Sequence, residues 1–147
     1  MSTNRIRIMH PEDLKQVILL EKQIFSRPWS ERSFERAVGR SDTIYLVAEW
    51  HDVIRGYLGI WCTPEEGDLC NMAVAGDARR QGVATMLLAE GLQECRRRGL
   101  ERILLEVRES NTAARQLYQQ QGFRAVGVRR GYYTAPSEDA VIMECRL

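Results

Sequence analysis

The chain has 147 residues, which is enough for one domain with a buried core. Hydrophobic residues make up 44% and charged residues 28%, as is ordinary for a soluble globular protein, and the net charge of +1 gives no reason to expect nucleic-acid binding. The chain has no run of about 18 apolar residues, so no membrane span is predicted. The first residues lack the apolar stretch of a signal peptide. We therefore expect a single domain, residues 1–147, in the cytoplasm.

The first part of the chain predicts one strand and two helices. Polar and apolar residues alternate over residues 5–9, as in a strand with one buried face. Pro11 followed by two acids is a typical helix start, and apolar residues then recur at helical spacing as far as Ile24, with one polar interruption at Glu21. Ser30 is placed to cap a second, short helix, which Gly39 ends.

Three antiparallel strands are predicted next. Residues 43–49 and 53–61 are rich in strand formers, and the tight turn between them predicts a hairpin. Residues 68–74 form a third strand after the turn at 63–67.

A long helix follows Gly82. Residues 96–98 are arginines in its last turn, where positive charge meets the negative end of the helix dipole, and Gly99 is placed as the cap. Its apolar face is formed by Ala84, Leu87, Leu88, Gly91, Leu92 and Cys95.

The rest of the chain predicts three strands and one helix. Each of the two helices after position 74 joins one strand to the next, which predicts parallel pairing at both crossovers and an α/β sheet of mixed strand direction. The elements are a strand at 103–107, a helix at 112–121 that Ser110 or Asn111 caps and Gly122 ends, a strand at 123–130, a polar loop at 131–139 and a strand at 140–146.

The loop before the long helix carries an anion-binding pattern, Arg79-Arg80-Gln81-Gly82-Val83-Ala84. The first N–H groups of a helix have no partner within it, and the dipole adds partial positive charge. Glycine leaves the approach to these groups open, and two arginines add full charges suited to a phosphate. The pattern favours a pyrophosphate ligand, although a plain strand-to-helix turn with a solvated basic pair fits the same residues.

The four cysteines are Cys62, Cys70, Cys95 and Cys145. None forms a C-x-x-C pair, and each has apolar neighbours in the sequence, so we expect buried free thiols in a reducing compartment. With only two histidines in the chain, no metal site is expected.

Three polar residues in the second half are candidates for chemistry. Glu106 lies in an apolar strand on the face opposite its apolar neighbours, where it serves either as a general base or as one half of an ion pair with Arg108 or another arginine. Tyr118 lies at the edge of an apolar helix face, where core packing is the default role. Asn111 is most simply the cap of that helix.

Together these residues resemble the GNAT family of acetyl-coenzyme A-dependent N-acetyltransferases. The order of predicted elements is the order of that family, and the resemblance covers nearly the whole chain. The motifs are R-x-x-G-x-A, L-E-V-R-x-S-N and A-x-x-L-Y-x-x-x-G-F. Within the family the details look like the RimI type, the ribosomal-protein-alanine N-acetyltransferases. That closer resemblance comes from Pro28-Trp29-Ser30 and from residues 71–74, 105–114, 129–133 and 138–143.

The resemblance implies a GNAT fold, with a mixed central sheet of about seven strands flanked by about four helices. It also implies that Glu106 is the proton acceptor and Tyr118 the proton donor. Ala84 stands where many members have a second glycine, a common replacement that is compatible with a helix. The residues implied to bind acetyl-CoA are Met72, Ala73, Val74, Arg80, Gln81, Gly82, Val83, Ala84, Thr85 and Asn111.

The implied reaction is acetyl transfer from acetyl-CoA to the N-terminal alanine of a small-subunit ribosomal protein, by direct attack of the amine. Tyr132 and Tyr133 are expected to wall the slot for the first residue, and Glu138 with Asp139 to favour a basic substrate; an ordinary polar loop explains the same residues. An acetyl group carried on Cys70 is less favoured, since no histidine is near it in sequence. We expect a monomer with no metal and no nucleic-acid or membrane partner.

Two other functions remain open. A GNAT enzyme for lysine side chains or small amines would keep the cofactor site and change residues 28–34 and 131–139. A non-catalytic coenzyme A-binding module is disfavoured because both Glu106 and Tyr118 are present. A Rossmann domain is weaker still, since the chain has neither G-x-G-x-x-G nor G-K-[ST].

Overall fold

A computed structural model describes residues 4–25, 27–78, 82–134 and 136–147. Within these ranges seven strands form one mixed sheet and four α-helices pack on it, which confirms the predicted fold class. The strands are β1 (Arg5–Ile8), β2 (Thr43–Trp50), β3 (Val53–Cys62), β4 (Glu66–Val74), β5 (Arg102–Arg108), β6 (Arg124–Thr134) and β7 (Ser137–Arg146). The helices are α1 (Leu14–Ile24), α2 (Glu31–Ala37), α3 (Val83–Arg97) and α4 (Thr112–Gln120).

The strand order is β1-β2-β3-β4-β5-β7-β6. The first four strands are antiparallel neighbours, and β4 pairs in parallel with β5 after the crossover through α3, as predicted. The predicted parallel pairing after α4 is wrong, because β7 inserts between β5 and β6 and is antiparallel to both. Hydrophobic periodicity identifies a strand but does not show which neighbour it pairs with.

The helix ends follow the predicted chemistry. Ser30 Oγ accepts a hydrogen bond from the Ser33 N–H at 3.1 Å, and Asn111 Oδ1 accepts one from the Ala114 N–H at 3.1 Å. Gly99 follows α3 with φ of +78°, a conformation that glycine adopts without a steric penalty. The helix predicted from Pro11 starts instead as a short 3₁₀ turn, Pro11–Asp13, that runs into α1.

The predicted loop at 131–139 is largely strand. β6 continues to Thr134 and β7 begins at Ser137, with Tyr133 opposite Glu138. A register shift between Arg129 and Tyr133 bends the pair. Because β6 is an edge strand whose residues are mostly exposed, its polar sequence resembled a loop.

Two apolar clusters lie on opposite faces of the sheet. Leu105 and Val107 belong to the cluster beneath α3 and α4, and Phe34 and Tyr57 belong to the one beneath α1 and α2. The N-terminal end of α3 packs closely against β3 at Gly56, where a Cβ would lie 3.2 Å from Val83 Cγ1 of α3 and 2.8 Å from the Ala73 carbonyl oxygen of β4. This packing fixes the start of α3 beside the end of β4.

Candidate active site

The site opens where β4 and β5 separate. Their parallel register joins residues 66–68 to residues 102–104, although β4 continues to Val74 and β5 to Arg108. Residues 69–72 and 105–108 line a cavity of about 550 Å³ beyond the last pair. The edge of β4 that faces β5 therefore has peptide groups without a strand partner along the cavity.

A β-bulge in β4 decides which of its residues face each side. Gly59 pairs with Asn71 and Ile60 with Leu69, so Cys70 is the extra residue. After the bulge, Asn71 is buried on the α1 side, where its Oδ1 accepts a hydrogen bond from the Tyr45 hydroxyl at 2.9 Å. The bulge thus changes which side chains of β4 face the α1 side of the sheet along the cavity.

The residues predicted to hold the pantetheine arm lie on this unpaired stretch. Met72 lines the cavity, Ala73 is buried beneath α1, and Val74 is half-buried at the strand end. The backbone contacts implied for these residues are available on the edge that faces β5. Their role in cofactor binding stays a prediction.

The predicted phosphate end is described from Gly82 onward, and Arg80 and Gln81 lie outside the described residues. Gly82 precedes α3 with φ of +78° and gives no side-chain cap. A Cβ there would meet no described atom within 4 Å, so the space before the first turn is open. Val83 is buried, Ala84 is half-buried and Thr85 is exposed.

Glu106 points away from the α3 side of the sheet, as strand alternation predicted. Its Oε1 lies 3.2 Å from Arg129 Nε, so the alternative of an ion pair is also correct, with an arginine other than Arg108. Its Oε2 is buried and has no hydrogen-bond partner among the described residues. Interaction with this carboxylate is the main cause that raises the pKa of the Tyr132 hydroxyl. Glu106 therefore offers one free oxygen within the cavity wall.

Tyr118 approaches the same cavity from the other face of β5. It packs in the cluster with Leu105 and Val107, and its ring centroid is 5.7 Å from that of Phe123. It is both a core residue and a cavity-lining one. Burial, with a smaller contribution from Tyr133, raises the pKa of Tyr118 to about 12, so its hydroxyl keeps its proton at neutral pH.

Asn111 caps α4 and also lines the cavity. Its side-chain oxygen accepts a hydrogen bond from the Ala114 N–H, so the side-chain –NH₂ remains as a donor. A helix cap at Asn111 and a core residue at Tyr118 therefore also line the cavity.

Residues 14–123 match the model of the acetyltransferase (GNAT) family. The chain belongs to the GNAT family. It is an acetyl-CoA-dependent N-acetyltransferase, as the sequence predicted.

Named relatives align along nearly the whole chain. A "[Ribosomal protein bS18]-alanine N-acetyltransferase" of Salmonella typhimurium is 36% identical, with 95% of each chain covered. A "Putative [ribosomal protein bS18]-alanine N-acetyltransferase" of Bacillus subtilis is 34% identical over 94% of this chain and 92% of its own. The crystal structure of the ribosomal-protein-S18-alanine N-acetyltransferase from Escherichia coli superposes with a TM-score of 0.90 at 32% identity, covering 98% of this chain and 94% of that one.

Two distant parts of the chain also line this cavity. Tyr132 and Tyr133 line it from β6, with their rings edge to face at 5.0 Å. Phe25, Arg27 and Trp29 line it from the segment between α1 and α2.

Glu138 does not line the cavity. Its carboxylate accepts a hydrogen bond from the Ser110 N–H at 2.6 Å and lies 3.3 Å from Arg108 Nη1. Hydrogen bonds from the side chain of Ser110 and then from its backbone N–H hold the pKa of Glu138 below its usual range. Asp139 accepts from the Gly131 N–H at 2.8 Å, so both acids expected to attract a basic substrate are bonded within the fold.

Sequence reasoning missed Glu21 as part of the site. The carboxylate is 2% exposed and lines the cavity, yet in the sequence it only interrupted the apolar spacing of α1. A charged residue on an apolar helix face was the available signal, because a buried carboxylate needs specific partners.

The cysteines differ from the expectation of four buried thiols. Cys95 and Cys145 are buried, but Cys62 is half-buried and Cys70, at the bulge, is exposed. Desolvation, followed by the charge of Asp68, raises the pKa of the Cys70 thiol to about 11. A thiol that stays protonated at neutral pH is a poor nucleophile, which favours direct transfer.

No helix in the described ranges is long and apolar enough to cross a membrane. Among the same residues, no group of three or more His, Cys, Asp or Glu side chains is arranged to hold a metal ion.

Proposed function

We propose that this enzyme transfers the acetyl group of acetyl-CoA to the N-terminal alanine of a small-subunit ribosomal protein in a ternary complex. The observation that carries the proposal is that Glu106 and Tyr118 reach one cavity from opposite faces of β5. The named relatives, which are 34% and 36% identical over nearly their full length, support the choice of acceptor.

The features that fit acetyl-CoA are the unpaired edge of β4 and the open start of α3. In this proposal the backbone groups of residues 72–74 bind the pantetheine arm, and the N–H groups of residues 82–85 bind the pyrophosphate. Arg80, Gln81 and the Asn111 amide complete the proposed set. The bound cofactor supplies the acetyl group as a thioester.

Glu106 is the proposed proton acceptor. A peptide α-amino group has a pKa of about 7.7–8.0, so much of it is protonated at neutral pH and cannot attack. The unpartnered Oε2 of Glu106 takes this proton, directly or through a water molecule. The Arg129 guanidinium on Oε1 keeps the carboxylate oriented.

Tyr118 is the proposed proton donor to the departing sulfur. Because burial raises its pKa to about 12, its hydroxyl holds a proton throughout the range in which the amine is neutral. A backbone N–H on the β4 edge near Val74 is placed to stabilise the negative charge that develops on the carbonyl oxygen.

The acceptor slot lies between Tyr132 and Tyr133 on one side and the α1–α2 segment on the other. Glu138 contributes through Arg108, whose guanidinium lies 4.3 Å from the centroid of the Tyr133 ring. We place the enzyme in the cytoplasm as a monomer that binds no nucleic acid or membrane.

The test is acetyl transfer to peptides that separate the possible acceptors. One peptide begins Ala-Arg; a second has the same sequence with a blocked N-terminus and an added lysine; free small amines complete the set. Transfer to the free α-amine alone, lost in Glu106→Gln, is the expected result. Transfer to the lysine or the small amines instead would assign another GNAT acceptor, and cofactor binding with no transfer would indicate a binding module.

A further inference from the structure

The described residues between α1 and α2, Phe25 and residues 27–30, form one wall of the proposed acceptor slot and belong to no helix or strand. Phe25, Arg27 and Trp29 line the cavity from this segment. A wall of irregular backbone keeps its position only if its polar groups have fixed partners.

Glu21 supplies these partners at both ends of the segment. Its main-chain carbonyl accepts a hydrogen bond from the Phe25 N–H at 2.9 Å, and its side-chain Oε2 accepts one from the Trp29 N–H at 2.7 Å. Its Oε1 accepts from the hydroxyl of Tyr57, a fully buried residue of β3. The segment is thereby tied to the central sheet through one carboxylate.

Aromatic packing also connects Trp29 to Tyr57. The Trp29 ring centroid is 5.4 Å from that of Phe34, which in turn lies 5.9 Å from that of Tyr57 in an edge-to-face contact. The backbone and the ring of Trp29 are therefore both connected to Tyr57, so two separate sets of contacts fix the position of this wall relative to β3.

We propose that Glu21 is a positioning residue that fixes the width of the acceptor slot and so restricts the first residue of the acceptor to a small side chain. The inference rests on the proposed function, because it takes the slot between this wall and Tyr132 as the place of the N-terminal residue. A buried carboxylate that forms no ion pair with any described residue is costly to retain, and a backbone wall at the substrate is a reason to retain it.

Glu21→Leu and Glu21→Gln separate this role from a general one in stability. Leucine keeps most of the side-chain volume but accepts no hydrogen bond. Glutamine keeps an oxygen for the Trp29 N–H and can donate its –NH₂ to the Tyr57 oxygen. Asp13→Asn is the matched control, since Asp13 is another buried carboxylate, bonded to Arg7 and to the His10 N–H and outside the cavity.

The measurement is kcat/KM for peptides that differ only in the first residue, alanine or leucine. Loss of a hydrogen bond to a charged group changes an equilibrium constant by about 10-fold or more. We therefore expect Glu21→Leu to reduce the ratio of kcat/KM for the alanine peptide to kcat/KM for the leucine peptide by about that factor, mainly through the peptide KM. The KM for acetyl-CoA should stay unchanged, Glu21→Gln should recover most of the preference, and Asp13→Asn should retain it. An unchanged preference in Glu21→Leu, or an equal loss with both peptides, would overturn the proposal.

Hydrogen–deuterium exchange tests the tether without any acceptor. Under conditions where all variants are folded, the Trp29 amide should exchange faster in Glu21→Leu than in the wild type, and near the wild-type rate in Glu21→Gln. Equal exchange in all three would refute the tether. If the wild type acetylated no free N-terminus, the proposed function would fail, while this exchange experiment would still decide the role of Glu21.

Discussion

The two sides of the cavity are built in different ways. The proposed cofactor side consists mainly of backbone groups at the edge of β4 and at the start of α3, next to each other in the chain. The proposed acceptor side consists mainly of side chains from β5, β6 and the described residues between α1 and α2, held by contacts such as Glu21 with Tyr57 and Glu106 with Arg129. Strand β5 presents Glu106 on one face of the sheet and packs against Tyr118 on the other.

The difference shows how one fold can keep a cofactor and change an acceptor. Backbone groups offer the same hydrogen bonds whatever the side chains are, so the cofactor side tolerates sequence variation outside its glycine. The acceptor side depends on individual carboxylates and aromatic rings, and single substitutions there change its shape. Substitutions on the two sides should therefore have separable effects on the two substrates.

The largest effect is expected for Glu106→Gln. An amide cannot take the proton of the acceptor amine, so kcat/KM should fall by about 10²–10⁴. The Kd for acetyl-CoA should stay at the wild-type value, because the carboxylate faces the acceptor side. Steady-state kinetics with calorimetric titration of acetyl-CoA checks both, and an undiminished rate would remove Glu106 from its role.

Tyr118→Phe should lower kcat by about 10-fold or more, since the departing sulfur loses its hydrogen-bond donor. Because burial raises the pKa of Tyr118 to about 12, the wild-type hydroxyl is protonated at both pH 7 and pH 9. The ratio of the wild-type kcat to the Tyr118→Phe kcat should therefore be the same at both pH values. Phe123→Leu, which disturbs the adjoining ring and keeps the hydroxyl, is the control. A ratio that approaches one at pH 9 would contradict the assignment.

Gly82→Ala should weaken acetyl-CoA binding by about 10-fold, which corresponds to about 1.4 kcal/mol, because a Cβ then stands before the first turn of α3. The φ of +78° adds a folding cost of about 1 kcal/mol. Gly99→Ala is a matched control at the other end of the same helix, with the same φ and equally open surroundings. Equal Kd values for the two variants would show that strain, and not the site, explains the loss.

The smallest effect is expected for Asp13→Asn, outside both sides of the cavity. Burial disfavours the Asp13 carboxylate, but hydrogen bonds from Arg7 and the His10 N–H outweigh it and hold the pKa of Asp13 below its usual range. The stabilisation is therefore present above the ordinary aspartate pKa of about 4 and is lost as pH falls through the lower, folded-state value.

Denaturant unfolding of this variant should show a loss of about 1 kcal/mol at pH 7, which disappears in strong acid. The kinetic constants for both substrates should match those of the wild type. A loss of unfolding free energy that persists at low pH would mean that the packing of Asp13, and not its charge, stabilises the fold.

Local patterns were sufficient for most of the elements and for one half of the site. The caps at Ser30 and Asn111, the apolar face of α3 and the outward direction of Glu106 follow from interactions a few residues apart. Local patterns did not predict the hairpin at the end of β6, because an exposed edge strand has the polar composition of a loop. They also did not show that Glu138 bonds to Ser110, a residue 28 positions away.

The sequence by itself determined most of the element types, the family and the candidate pair Glu106 and Tyr118, since periodicity, capping and motif spacing are properties of neighbouring residues. The tertiary structure alone decided that β7 lies between β5 and β6 and that β4 parts from β5 after residue 68. It alone brought Glu21 to Trp29 and Tyr57, and Arg129 to Glu106. These contacts join residues distant in the chain, and their positions are fixed by the packing of whole elements against each other.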